Sequence, residues 1–536
     1  MKTVYYNALV YTGNGGYASS FIVEDGRFSF VGFDCDSLPQ VSEGDRSVDL
    51  HGAFVCPGFN DSHMHLLNYG SVLTQAPLGE HTGSLSELLD CLRGFLSSHP
   101  KGEGGWLLGR GWNQDLFSDE KRIPTRWDLD SVSTEAPILI TRACGHCCVL
   151  NSKALALAGI SGSTPQPEGG RIGMENGSPN GALYDNAMDL VNGVTSAPDK
   201  ESIKSMMIAA CRELNRYGVT SAQTDDYCVR RDVDPELINE AYRELAAEGL
   251  LTVRVYEQCN FTELHDLERF IESGNVTGKG DKFFRIGPLK LLGDGALGSR
   301  TAHLSKPYLG TDGCGFSLFS PEHMKELVLY AHTHGMQVAI HAIGDACLDE
   351  VLDAIEAANA SFPREDHRHG IVHCQISRAD QLERIARLGL HVYAQSVFLD
   401  YDNHIVGKLV DPEIASTSYN WKTLMNMGVS VSNGSDCPVE MPDVMRGIEC
   451  AVTRTSLDGT GPFLPEEAFS VREAIDSFTM RSAEASFEEN LKGCIRGGML
   501  ADFVVLDADP FRIEPSKLHT IKPKAVYFGG KLVYEA

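Results

Sequence analysis

Between residues 54 and 432 the chain repeats one pattern, a short apolar or β-branched run followed by an amphipathic stretch of helical period. The runs stand at 54–56, 219–222, 251–256, 284–291, 337–341, 370–373, 391–395 and 429–432. Strands that alternate with helices build βα units, because parallel neighbours need a crossover long enough to carry a helix. Eight such units are what a (β/α)8 barrel requires, and its reactive site lies at the C-terminal ends of the strands.

Eight units require the stretch 66–199 to be an insertion after the first strand, since it is far too long for a βα loop. It carries Trp106, Trp112 and Trp127 with several Gly and Pro breaks, and is expected to form a subdomain over the barrel mouth. Residues 1–54 alternate β-like runs with turns, with Asp25-Gly26 marking a hairpin, and residues 490–536 do the same through 501–507 and 525–534. Neither end has enough strands to bury a face alone, so the two are expected to share one sheet system. The expected architecture is α/β. It comprises a (β/α)8 TIM barrel domain over 55–489, a small β-sandwich domain built from both chain termini (1–54 and 490–536), and an insertion subdomain, 66–199, after barrel strand 1.

A chain of 536 residues with 42% hydrophobic content can bury a large core. A formal net charge of -27 opposes unassisted binding to phosphate backbones or anionic membranes. A small-molecule substrate is expected, with no nucleic acid or membrane partner. The opening residues Met1-Lys2-Thr3-Val4-Tyr5-Tyr6-Asn7 lack the apolar core of a signal peptide, and no run approaches a transmembrane helix in length, so a cytoplasmic location is expected. Fifteen scattered cysteines fit reduced thiols better than a disulfide framework. A homodimer is the default on base rates.

His63-Met64-His65 follows the first apolar run. On an extended strand, residues i and i+2 share a face, so one cation can take a nitrogen from each imidazole. His332-Thr333-His334 has the same spacing within a helical pattern, where i and i+2 diverge, and is expected to face solvent. Cys144-Gly145-His146-Cys147-Cys148 offers half of a zinc knuckle, but no second CxxC follows to complete four ligands. Other polar residues end the later runs: Lys290, His341, His373 and Asp436. Each alone has a plain structural reading, a hydrogen-bonded core histidine or a turn aspartate. Five separate strand ends that all present nitrogen or oxygen donors point to a shared site.

At these residues the chain resembles the amidohydrolase superfamily of metal-dependent (β/α)8 hydrolases. Pro57-Gly58-Phe59-Asn60-Asp61-Ser62-His63-Met64-His65 is followed by Lys290, His341, His373 and Asp436 in matching order and at matching strand ends. More narrowly, it looks like the YtcJ-like or amidohydrolase-3 branch, which includes N-substituted formamide deformylases. That likeness rests on Gly111-Trp112-Asn113-Gln114, on Gly145-His146 with Asn151-Ser152-Lys153-Ala154-Leu155, on 290–302, and on His341-Ala342-Ile343-Gly344-Asp345. It spans nearly the whole chain. Cys147-Cys148 after the Gly-His pair and Val372-His373 in place of the common Glu-His depart from it, and neither removes a ligand.

The resemblance implies that His63 and His65 bind one metal ion, His341 and His373 a second, and that Lys290 bridges them as a carbamate. Two divalent ions per chain are implied, zinc first, although the same donors suit iron, manganese or cobalt. A free lysine amine is a cation near neutral pH and repels metals. The alternative is therefore an unmodified Lys290 paired with Asp294, and one zinc on His63, His65, His341 and Asp436. In either case a metal-bound water brought towards neutrality gives a hydroxide nucleophile, and Asp436, ligand and catalyst together, is the implied proton shuttle. His146 is implied as an oxyanion donor, with Trp112 and Arg300 lining the substrate pocket. His146 as a plain loop histidine and Trp112 as packing of the insertion stay open. Asp294 and Asp345 are expected to support the ligands from behind. The implied reaction is hydrolysis of a C–N bond in an amide, formamide or N-acyl compound. The alternatives are a mononuclear deaminase of a heterocycle and a non-catalytic binding protein on a hydrolase scaffold.

Overall fold

The computed structural model describes residues 2–98, 105–142, 147–167, 170–191, 197–228 and 233–536. It divides into two compact units, one drawn from 1–66, 211–229 and 242–536, the other from 67–210 and 230–241.

The first unit contains the barrel. Its strands are β1 (Phe59–Met64), β2 (Val219–Thr224), β3 (Arg254–Asn260), β4 (Phe284–Leu292), β5 (Val338–Ala342), β6 (Gly370–His373), β7 (His391–Ala394) and β8 (Ser430–Asn433). They lie in chain order in one sheet, each neighbouring pair parallel. Strands covered on both faces read as unbroken apolar runs, and Val338, Ala339, Ile340, Ile371 and Val372 are fully buried. The helices between them start where the sequence supplies caps. Ser320 accepts from the His323 amide and precedes a proline to open Pro321–Thr333.

The ring is closed just past its last strand. The Asp436 amide donates to the His63 carbonyl and the His65 amide to the Cys437 carbonyl, both at 2.8 Å. Glycine is needed at 434 for that approach, because a Cβ there would lie 2.6 Å from the His63 nitrogen. The Asp61 carboxylate completes the seam by accepting from the Ser435 amide at 3.0 Å and from its hydroxyl at 2.5 Å.

Two further sheets of this unit are built from the chain ends, the first from the N-terminal end alone and the second from both. One orders Arg27–Gly32, Ser20–Glu24, Thr3–Tyr6 and Arg46–Asp49; the other orders Lys531–Glu535, Pro523–Phe528, Phe503–Leu506, Phe54–Pro57, Leu9–Gly13 and Gly16–Ala18. Tyr5, Phe21, Phe28 and Phe503 share one core, with Tyr5 and Phe21 stacked at 5.0 Å between centroids. The run at 54–56 belongs here: it pairs with Leu9–Gly13 and Phe503–Leu506 rather than with the barrel. The first barrel strand is instead Phe59–Met64, whose Asn60, Asp61 and Ser62 hide it from any apolar pattern. The seam supplies partners for Asp61, whereas the side-chain polar atoms of Asn60 and Ser62 are buried without a hydrogen-bond partner among the described residues.

The second unit holds a six-stranded sheet ordered Gly170–Glu175, Ser178–Asp185, Cys147–Leu150, Ile138–Arg142, Leu107–Trp112 and Ala76–Pro77. Its core includes Leu88, Leu92, Trp112, Phe117, Leu129 and Ile140. The described cysteines are all free. Among the described residues no helix is long and apolar enough to cross a membrane.

The histidine pair on the helix Pro321–Thr333 splits, contrary to the expectation of exposure. His334 is exposed, but His332 is fully buried, with Nδ1 2.7 Å from His369 Nε2. Divergence around a helix predicts that the two differ; it does not predict that both face water.

Candidate metal centre

His63 and His65 flank the end of β1 on one face, as the two-residue period of a strand requires. Both converge on the carboxylate that follows β8: Asp436 Oδ1 is 3.4 Å from His63 Nε2 and 3.1 Å from His65 Nε2. The His373 ring lies 5.6 Å from His63 and 4.4 Å from His341 between centroids. Donor atoms of His63, His373 and Asp436 all lie within 4.8 Å of one another, as do those of His65, Asp225 and Cys228. His373 (φ 75°), Cys374 (φ 49°) and Asp436 (φ 57°) occupy the left-handed region, a backbone cost that non-glycine residues bear where the surroundings over-determine the conformation.

The hydrogen bonds behind the imidazoles assign their protons. His65 Nδ1 is 2.9 Å from the Asp225 carbonyl, which can only accept, so Nδ1 carries the hydrogen. His63 Nδ1 is 2.7 Å from Gln258 Oε1, and that amide is turned by its own bond from Nε2 to the Ser62 carbonyl. Both Nε2 atoms therefore aim lone pairs at a carboxylate oxygen. Three acceptors facing one another in a buried space need positive charge between them. A proton can supply it: contact with Asp436 lifts the His65 pKa well above the usual imidazole range although burial opposes this. Burial pushes the Asp436 carboxyl up, but His65, His63 and His373 hold it well below the ordinary carboxylate range. Burial drives His63 and His373 the other way, towards the neutral form that a metal needs.

Lys290 on β4 is fully buried, its Nζ without a hydrogen bond among the described residues and 3.8 Å from Asp225 Oδ2. Asp225 Oδ1 is likewise a buried atom without a hydrogen-bond partner among the described residues. The expected alternative partner of Lys290, Asp294, is engaged elsewhere. Its carboxylate takes the amides of His303, Ile343 and Gly344 and lies 3.2 Å from His341 Nε2. That nitrogen also faces the Gly295 carbonyl at 3.1 Å, so Nδ1 is the nitrogen His341 has left. Nitrogen and carboxylate donors, acceptors facing without protons, and buried amine and carboxylate atoms without partners make this a donor set that fits a divalent cation.

His63, His65, Lys290, His341, His373, Asp436 and the supporting Asp294 thus come together. Asp345 stands further off, taking the Ser305 amide at 2.9 Å and Arg378 Nη1 at 2.8 Å. Arg300 is exposed at φ 60° and makes no hydrogen bond or ion pair with the candidate ligands. Trp112 is packed in the core of the second unit, and His146 lies outside the described residues. Asp225, Cys228, Gln258 and Gln395 were not singled out from the sequence. Asp225 could have been, since it directly follows the β2 run by the same strand-end rule that flagged Asp436.

The amidohydrolase family model matches residues 46–534 of the chain. The putative amidohydrolase YtcJ of Bacillus subtilis (strain 168) is 33% identical over 544 aligned positions, covering 100% of both chains. The N-substituted formamide deformylase of Arthrobacter pascens is 26% identical over 536 positions, covering 97% of this chain and 95% of its own. Among solved structures, an uncharacterized metal-dependent hydrolase from Pyrococcus furiosus superposes with a TM-score of 0.79 at 29% identity, covering 96% of this chain and 100% of that one. The fold, the ordered donor residues and these matches agree: the chain belongs to the amidohydrolase family.

Proposed function

We propose that this protein is a metal-dependent hydrolase that cleaves the C–N bond of an amide, formamide or N-acyl compound, with Asp436 moving the proton. The observation that carries this reading is the set of facing acceptors, His63 Nε2, His65 Nε2 and Asp436 Oδ1, within 3.1–3.4 Å. The relationship to a formamide deformylase supports the choice of bond. The ion would be held by His63, His65, His373 and Asp436, with Lys290, His341 and Asp225 at hand for a second; zinc is the first candidate, and a carbamate on Lys290 would let it bridge the two. Such an ion supplies a polarised carbonyl and an acidified water. Asp436, anionic across the working range, takes the proton of the attacking water and returns it to the departing nitrogen, which leaves as an amine.

One observation favours a second reading. Lys290 Nζ lies 3.8 Å from Asp225 Oδ2, an ion-pair contact that an unmodified lysine can make without a hydrogen bond, and an unmodified lysine leaves donors for a single ion, as in a deaminase of an aminated heterocycle. Metal counting and product analysis separate the two. Purified protein loaded with zinc is offered N-formyl amines, N-acyl amines, cyclic amides and aminated heterocycles. Release of carboxylate with about two ions per chain and an added carbamate mass on Lys290 supports the first reading. Ammonia without carboxylate, at one ion per chain, supports the second. Full activity in Asp436→Asn removes the proposed shuttle, and no zinc bound by the wild type removes the metal-centre reading.

A further inference from the structure

Two imidazoles of the centre are gripped from behind by glutamine amides. His63 Nδ1 lies 2.7 Å from Gln258 Oε1 on β3, and His373 Nδ1 lies 2.7 Å from Gln395 Oε1 just after β7. Both glutamines are fully buried. Gln258 is anchored by the bond from its Nε2 to the Ser62 carbonyl at 3.2 Å, which leaves its oxygen facing His63. Gln395 has no such anchor: its Nε2 is a buried donor without a hydrogen-bond partner among the described residues. A buried donor left unpaired is costly, yet the amide keeps its oxygen on His373.

The partner of one imidazole nitrogen decides which tautomer the other presents. An amide oxygen accepts from Nδ1–H without drawing the proton away. A carboxylate in the same place would draw it strongly, make Nε2 more basic and add a negative charge to the site. We propose that Gln258 and Gln395 are positioning residues that hold His63 and His373 as Nδ1–H tautomers with Nε2 lone pairs aimed at one point. As neutral amides they also set the affinity for the ion below what carboxylates would give, which keeps the ion exchangeable. This rests on the reading of the site as a metal centre.

The test compares zinc affinity, by competition with a chromophoric chelator, in the wild type, Gln258→Leu, Gln395→Leu, Gln258→Glu and Gln395→Glu. Thermal midpoints of the metal-free proteins are recorded alongside. The leucine variants, which remove the acceptor at similar volume, should bind zinc about 10–100-fold more weakly. The glutamate variants should bind at least as tightly as the wild type and release zinc more slowly, even though a buried carboxylate lowers the metal-free midpoint. A merely structural role moves both kinds of substitution in the same direction, so opposite signs mark the tautomer role. Should a leucine variant fail to fold, Gln258→Asn or Gln395→Asn withdraws the acceptor by one methylene while keeping the amide and is expected to weaken zinc binding in the same sense. Unchanged affinity in the leucine or asparagine variants, or glutamate variants weakened as much as leucine ones, overturns the proposal while zinc binding stands. A wild type that binds no zinc overturns the metal-centre reading, and this proposal falls with it.

Discussion

A second group of histidines, at the opposite end of the barrel, allows a sharp test of proton accounting. The Val338 amide donates to His369 Nδ1 at 3.0 Å, so that nitrogen is bare and the ring carries its hydrogen on Nε2. Nε2 donates to His332 Nδ1 at 2.7 Å, which forces the hydrogen of His332 onto its own Nε2, 2.6 Å from the Phe362 carbonyl. The His369 amide in turn donates to His367 Nδ1 at 3.0 Å. Every ring is neutral in this chain of bonds, and a proton added to His369 would point at the Val338 N–H. Burial pushes the His369 pKa well below the usual imidazole range, and His367, His332 and the Arg364 guanidinium push the same way.

The sign follows directly. Below an unfolded-state pKa of about 6.5 the unfolded imidazole binds a proton that the native one refuses, so stability falls as pH drops, at about 1.4 kcal/mol per unit for each such ring. The loss ends once pH passes below the native pKa. From about pH 6.5 to about pH 5, His369 alone should withdraw roughly 2 kcal/mol. His369→Asn keeps an acceptor for the Val338 amide but cannot titrate. It should be less stable at neutral pH by about 1–3 kcal/mol, having left His332 Nδ1 without its donor. Urea unfolding followed by circular dichroism at about pH 7.5 and pH 5 should show the gap between variant and wild type narrowing by roughly 2 kcal/mol on acidification. Comparison of the two proteins cancels contributions from histidines outside this group. A gap that stays constant with pH would refute the proton assignment.

Two other perturbations probe how the barrel is held. Arg254 on β3 makes a buried bidentate contact with Asp502 at 2.6 and 2.9 Å, tying the barrel to the sheet that contains Phe503–Leu506. Arg254→Ala should cost about 3–5 kcal/mol in denaturant unfolding, because a buried carboxylate loses its counter-charge. Gly434→Ala would set a Cβ 2.6 Å from the His63 nitrogen and 2.7 Å from Asp61 Oδ1. The seam must open there, so bound zinc measured by mass spectrometry should fall while the second unit, monitored by limited proteolysis, is unaffected.

The barrel was legible because strands buried on both faces leave continuous apolar runs, and seven of the eight named runs overlap barrel strands. The eighth misled for the same reason. Residues 54–56 are apolar because a sheet core needs them, while β1 carries polar residues whose partners are hundreds of positions away, as Ser435 is for Asp61. The candidate ligands were legible from the spacing of His63 and His65 and from the strand-end positions of the others. Their supports were not, since Gln258 reaches His63 from β3 only through the lateral register of the closed ring, and nothing local to Gln258 announces it.

Histidine content alone also fails to separate the two imidazole groups. Both lie largely buried at an end of the barrel, and in both the rings crowd together, with His63 and His65 centroids 5.3 Å apart and those of His332 and His369 5.0 Å apart. What separates them is where the lone pairs go. In the His332, His367 and His369 group each bare nitrogen already meets a proton from the chain itself, Val338 N–H, His369 N–H or His369 Nε2–H. That group is closed, and an added cation would have to break it. In the His63 and His65 group the outward nitrogens donate backwards to Gln258 and to the Asp225 carbonyl, leaving bare nitrogens aimed at Asp436 with no proton of the neutral rings between them. The charge that satisfies such an arrangement must come from outside the neutral chain. On the proposed reading the barrel therefore uses the same side chain for stability at the N-terminal ends of its strands and for cation binding at the C-terminal ends.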